Sequence, residues 1–100
     1  MTPVNWHTIV LPHMSSALRA CGLSRDRLVM VLTALHHTLP EQAERLRQTR
    51  APDQPDRCFL FRLAFADGPT WHRMAFWVDD ATAPGLLFVK KLVHQPRTIP

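Results

Sequence analysis

At Cys58 the apolar positions change from a helical rhythm to a two-residue alternation, which divides the chain into two halves. Phe59, Phe61, Leu63 and Phe65 alternate with Leu60, Arg62, Ala64 and Ala66, so this strand has one strongly apolar face. Asp67-Gly68-Pro69 turns the chain. A second strand then puts His72, Met74, Phe76 and Val78 on one face and Trp71, Arg73, Ala75 and Trp77 on the other. Asp79 to Gly85, with Asp80 and Pro84, makes the next turn, and Leu86 to Val93 forms a third, largely apolar strand. Leu87, Val89 and Val93 are expected to face the core, with Phe88, Lys90, Leu92 and His94 on the opposite face. Strict alternation turns Lys91 inward, which predicts either a β-bulge near it or a lysine stem that snorkels to the sheet edge.

The first half reads as helices after a short extended lead. Trp6 to Leu11 suits a brief strand, or the lead into a helix, confined by Pro3 and Pro12. Met14, Ala17, Leu18 and Cys21 follow helical spacing, and Gly22 stands where a left-handed residue would stop that helix. Ser24 can cap a second helix whose Leu28, Val31, Leu32 and Leu35 form a buried stripe. Thr38, three residues before Glu41 and followed by Pro40, reads as a capping box opening a third helix through Arg47, with Ala43 and Leu46 as its apolar side.

Residues 51–57 contain Pro52 and Pro55 and form a connector too short to separate domains. The expectation is one domain over residues 1–100: a mainly helical half over 1–50, the connector, and a three-stranded meander over 58–96. The fold class is α+β, with a short N-terminal strand and two to three helices packed on a small antiparallel sheet.

Twelve Lys and Arg against eight Asp and Glu give a net charge of +4, which leans towards a polyanionic partner. Cys21 and Cys58 lie far apart without metal or redox spacing, as expected of thiols in a reducing cytoplasm. No signal peptide or membrane span is expected, because the longest apolar run, around Leu28 to Leu35, is too short to cross a bilayer. With three glycines there is no phosphate-wrapping loop, so nucleotide-cofactor chemistry is disfavoured. His36 and His37 point about 100° apart on a helix and lack the spacing of a zinc pair, so no metal site is expected.

If the three strands pair with their apolar faces under the helices, Arg62, Arg73 and Lys90 project from the same uncovered face. Unpaired cations side by side repel one another, an arrangement suited to a phosphodiester backbone among them. By parity Trp71 and Trp77 share that face, where an indole can stack an unpaired base. Basic residues on a solvent face also serve simply to discourage edge pairing, and tryptophans can fill the rim of a small core. His72 has core parity and reads as a hydrogen-bonded packing residue. His94, assigned to the face of Lys90, is the histidine best suited to acid or base work, since its reference pKa of ~6.5 allows either role.

Phe61-Arg62-Leu63, then His72-Arg73-Met74-Ala75-Phe76-Trp77-Val78-Asp79-Asp80, then Leu86-Leu87-Phe88-Val89-Lys90-Lys91 resembles the phage-derived HigB-like branch of the RelE/ParE toxin superfamily. The resemblance implies a RelE-like fold and the toxin component of a type II toxin-antitoxin system. It further implies a ribosome-dependent mRNA endonuclease that cleaves by attack of a ribose 2′-hydroxyl, without metal or small-molecule cofactor. Its partners would be mRNA on the ribosome and a cognate antitoxin, in the cytoplasm and away from membranes. Arg73 matches the arginine of the family's Tyr-Arg pair, Arg62 that of its Leu-Arg pair, and Lys90 with Lys91 the closing lysines.

On this reading Arg62 and Arg73 hold phosphate oxygens, Lys90 and Lys91 bind backbone or move protons, and His94 is the candidate acid or base. The chain departs from the pattern in having no tyrosine, with His72 in the place before the arginine. Gln95 to Pro100 also cannot supply the branch's C-terminal helix. Two alternatives follow. The missing tyrosine favours a catalytically inactive RelE-fold module that binds RNA or protein, and the superfamily also contains ParE-like gyrase inhibitors, against which the Lys-Lys pair argues.

Overall fold

The computed structural model describes residues 5–49, 58–80 and 83–99; the expected connector over 51–57 lies outside them. In chain order the elements are β1 (His7–Val10), α1 (Pro12–Arg19), α2 (Arg25–Thr33), a π-helical turn (Ala34–Thr38), α3 (Leu39–Arg47), β2 (Cys58–Asp67), β3 (Thr70–Asp79) and β4 (Leu86–Thr98). The class is α+β as expected. The sheet order is β1-β4-β3-β2. β2, β3 and β4 form the predicted antiparallel meander, but β1 pairs in parallel with the start of β4, so the sheet is mixed rather than antiparallel. A parallel neighbour needs a long crossover, and the helices together with β2 and β3 supply it.

The core lies between the helices and one face of the sheet. Phe59, Phe61 and Phe65 of β2, Met74, Phe76 and Val78 of β3, and Leu87 and Val89 of β4 meet Met14 and Leu18 of α1 and the stripe Val31, Leu35, Leu39 and Ala43. That stripe recurs every four residues. In an α-helix each such step overshoots a full turn by about 40°, so three steps would carry it about 120° away from the sheet. The π-helical turn takes up one extra residue and reverses the drift, which keeps all four side chains fully buried.

Pro40 is the local cause of the π turn. It has no N–H to give and its ring crowds the carbonyl one turn back, so the helix widens ahead of it. The Leu39 N–H accordingly bonds the Ala34 carbonyl, five residues back. In that register the Leu35 carbonyl would look to Pro40, which cannot donate. The Thr8 hydroxyl of β1 donates to it instead, from a buried position. The capping box expected at Thr38 does not form: its backbone is helical, its side chain makes no cap bond, and α2 runs into α3 without a break.

Two further ties fasten the helical half to the sheet. Ser24 caps α2, its hydroxyl accepting from the Arg27 N–H at 3.4 Å, and its own N–H donates to the Asp67 carboxylate at 2.7 Å at the end of β2. That N–H holds the Asp67 carboxyl below the ordinary aspartate range. At the other end of the helix, Arg47 pairs with the buried Asp80 after β3 and lies over the Trp6 ring at 5.0 Å, while the Trp6 indole N–H donates to Glu44 at 3.0 Å. Gly22, at φ +71°, takes the left-handed conformation that turns the chain between α1 and α2.

Thr8→Val removes the hydroxyl that donates to the buried Leu35 carbonyl while keeping the side chain's volume. Expected is a loss of about 1–3 kcal/mol in urea unfolding, with Thr8→Ser much closer to the parent. Equal stability of Thr8→Val and the parent would show that the hydroxyl is dispensable.

Candidate nucleic-acid interface

The face of β2, β3 and β4 turned away from the helices is built in rungs. Leu60, Trp77 and Lys91 form one; Arg62, Ala75 and Val93 the next; then Ala64, Arg73 and Gln95; then Ala66, Trp71 and Arg97. None of these twelve residues is acidic. Arg62 and Arg73 lie on diagonal positions of neighbouring strands, and neither has an ion-pair partner among the described residues. Between them the small side chains of Ala64 and Ala75 leave a depression of about 250 Å³, which Val93 and Gln95 also line. An arginine on each side of an alanine floor is a geometry for receiving a compact anion.

Arg62, Arg73, Trp71 and Trp77 lie on one face, as alternation along β2 and β3 implies. Trp71 is exposed and Trp77 half-buried, both on this open face. They stand six positions apart along β3, or about 20 Å at the usual strand rise. Indoles therefore bracket the arginine depression at both ends.

The lysines come together by a bulge. Trp77 pairs with Lys91 and Val78 with Val89, so Lys90 is an extra residue with no partner opposite. This is the first of the two outcomes that the alternation allowed. Lys90 extends its ammonium group over the Phe88 ring, 5.6 Å from the centroid, and Lys91 is exposed beside Trp77. His13 at the start of α1 donates its Nε2–H to the Lys90 carbonyl at 3.1 Å, which fastens the bulge to the helix. Arg62, Arg73, Lys90 and Lys91 thus share one side of the sheet.

His94 does not join them. One residue inserted at Lys90 reverses the parity of everything after it, so Leu92 and His94 turn to the helix side and Val93 to the open side, opposite to the simple alternation. His94 Nε2 lies 2.8 Å from His72 Nδ1, with the rings stacked at 5.0 Å and 12°. Phe65 stacks on His72 from the other side at 5.4 Å. His72 is buried, as its core parity implied, and its hydrogen-bond partner is His94. The candidate acid or base and the arginines are therefore on opposite faces of the sheet.

The same reversal adds Gln95 and Arg97 to the open face, two residues missed because the third strand was expected to end at Val93. β4 continues to Thr98 through Pro96. The Ile99 N–H bonds the Pro69 carbonyl at 2.7 Å, and alternation from that bond aims the Pro96 position at the unpaired outer edge, where a missing donor does no harm. His36 and His37 are exposed, and among the described residues no three His, Cys, Asp or Glu side chains form a metal-ligand set. No helix among the described residues is long and apolar enough to cross a membrane.

Burial, and then the nearby His72, lower the pKa of His94 below the usual histidine value. An unfolded chain then takes up a proton at His94 more readily than the native one. The pair's contribution is complete above about pH 6.5 and diminishes as pH falls towards the native-state value. In urea unfolding the parent is expected to lose stability between pH 7.5 and 5.5 by more than His94→Gln does. Parallel pH profiles for the two proteins would contradict this.

No family model matches the chain, nor does any curated protein or solved structure, so the site's chemistry rests on its own geometry.

Proposed function

We propose that the open sheet face binds the backbone of single-stranded RNA. On this reading the chain is a RelE-like toxin that acts on ribosome-bound mRNA in the cytoplasm and is restrained by a cognate antitoxin. The observation that carries the reading is the depression between Arg62 and Arg73, with unpaired guanidinium groups around an alanine floor and no carboxylate in the surrounding rungs. Such cations repel one another until a polyanion lies between them, and planar guanidinium forks match phosphate oxygens. Single-stranded nucleic acid fits better than duplex because Trp71 and Trp77 offer stacking surfaces that paired bases could not reach. Gln95, beside Arg73, supplies an amide able to donate to or accept from a ribose 2′-hydroxyl.

Cleavage by 2′-hydroxyl attack requires removal of one proton, stabilisation of a crowded phosphorane and delivery of a proton to the leaving oxygen. Arg62 and Arg73 would hold the non-bridging oxygens. Lys90 and Lys91, one rung from Arg62, are the proton carriers on this face. The route uses no metal and no cofactor. The second reading, an RNA-binding module without catalysis, is favoured by the turning of His94 to the other face in a chain that already lacks tyrosine.

Arg73→Ala is expected to weaken binding of a short single-stranded RNA by about tenfold and to reduce the salt slope by about one phosphate contact. Absence of salt-sensitive binding by the parent protein would sink the RNA reading. Primer-extension mapping of transcripts after induced expression separates the two readings. Fresh 5′ ends with the parent chain and none with Arg73→Ala mark a nuclease, and intact transcripts in both mark a binding module.

A further inference from the structure

The His72–His94 pair lies directly beneath the rung that carries Arg73. Met74 pairs with His94, Arg73 with Gln95, and His72 with Pro96. The imidazole bridge thus runs diagonally under the Arg73–Gln95 rung, on the helix side, while those two side chains line the depression on the open side. β1 accompanies β4 only from Leu86 to Val89, so within the sheet the later part of β4 is held by β3 alone. Below this rung the bridge is the side-chain tie between the two strands.

We propose that His72 and His94 are positioning residues for the arginine depression: their shared hydrogen bond fixes β4 to β3 where Arg73 and Gln95 face the anion, and double protonation releases it. The inference rests on the anion-binding reading of the open face. Two neutral imidazoles supply one donor and one acceptor across the 2.8 Å contact, and a singly protonated pair still does. When both rings are protonated, Nδ1–H and Nε2–H face each other, two positive charges meet, and the rings must separate. Phe65, stacked on His72, offers neither ring a new polar partner.

Among the described residues, Asp67 and Arg27 are the charged groups that act near the pair on this side. Asp67, at the end of β2, has a carboxylate engaged by the Ser24 N–H and interacts electrostatically with His72 and with Arg27 of α2. One carboxylate, and the guanidinium that interacts with it, thus lie on this side. Neither removes the conflict between two imidazolium rings. Separation would let the exposed end of β4, from Gln95 to Thr98, move away from β3 and carry Gln95 and Arg97 out of line with Arg73 and Trp71.

The direction of the effect is diagnostic. A basic face that merely gains histidine charge binds RNA more tightly as pH falls, whereas release of the bridge weakens binding. Fluorescence anisotropy with a ten-nucleotide oligouridine at fixed ionic strength is expected to show at least a fivefold loss of affinity from pH 7.5 to 5.5. His94→Gln, whose amide can still bond His72 but does not titrate, is expected to keep its affinity across that range.

A second measurement does not depend on RNA. Amide-exchange protection factors of Arg73 and Gln95 in the full chain are expected to fall at least tenfold over the same pH range, relative to Phe59 and Val78. Tighter binding at low pH, an equal loss in His94→Gln, or unchanged protection at Arg73 and Gln95 would overturn the inference. Lost protection without RNA binding at either pH would retain the bridge as the device that positions the rung and reject the RNA reading instead. Should His94→Gln fail to fold, the protection factors of the parent decide alone.

Discussion

One inserted residue in β4 determines what each face of this sheet presents. The bulge at Lys90 leaves that residue without a partner, and every side chain that follows is reversed relative to a regular strand. Without it Val93, Gln95 and Arg97 would point at the helices, where two polar side chains would need burial. Leu92 and His94 would point at solvent, and the Phe65–His72–His94 stack could not form. The bulge needs support, since it interrupts the backbone ladder. His13 gives that support by binding the Lys90 carbonyl, and the short β1–α1 connection sets α1 beside β4 at this point.

A comparable irregularity governs the helical layer. Pro40 could have ended the helix. The wider turn ahead of it lets the chain continue and keeps Val31, Leu35, Leu39 and Ala43 in one line. The carbonyl this leaves without a helical partner is bonded by Thr8, which ties the helix to the sheet's parallel edge strand. Both layers are thus brought into register by a local departure from ideal geometry, and each departure has a polar side chain from another element satisfying the freed carbonyl. The Arg47–Asp80 pair, with Trp6 beneath the guanidinium, then closes the far end of the long helix against the turn after β3.

These features explain which parts of the structure were legible in the sequence. β2 and β3 were readable because their alternation is unbroken and the Asp67-Gly68-Pro69 turn leaves one simple pairing, so Arg62, Arg73, Trp71 and Trp77 could be assigned to one face by counting. Beyond Lys90 counting fails, because a bulge costs one residue of register and two adjacent lysines only hint at where it occurs. Simple alternation therefore puts His94 on the wrong face and gives no reason to place Gln95 and Arg97 on the open one. Pro40 misleads for a related reason: a proline two residues after a threonine marks a helix start in most contexts, and the packing of Leu35 and Leu39 that holds the helix continuous through the widened turn is not visible locally. The parallel place of β1 and the partnership of Arg47 with Asp80 join residues distant in sequence, and no local pattern encodes them.

The open face also carries a local conflict that bears on its use. Alanine is a poor strand former, and Ala64 and Ala75 occupy central positions of β2 and β3 where a β-branched residue would pack better. The helix side of the same strands compensates, with Phe61, Phe76 and Met74 buried directly beneath. The rings of Phe61 and Phe76 lie 6.4 Å apart, close enough to hold the two strands together. Large side chains on one side thus allow small ones on the other, and the small ones leave room between Arg62 and Arg73. A strand surface selected only for stability would fill that space. Here it is left open between two exposed arginines, which repel one another across it.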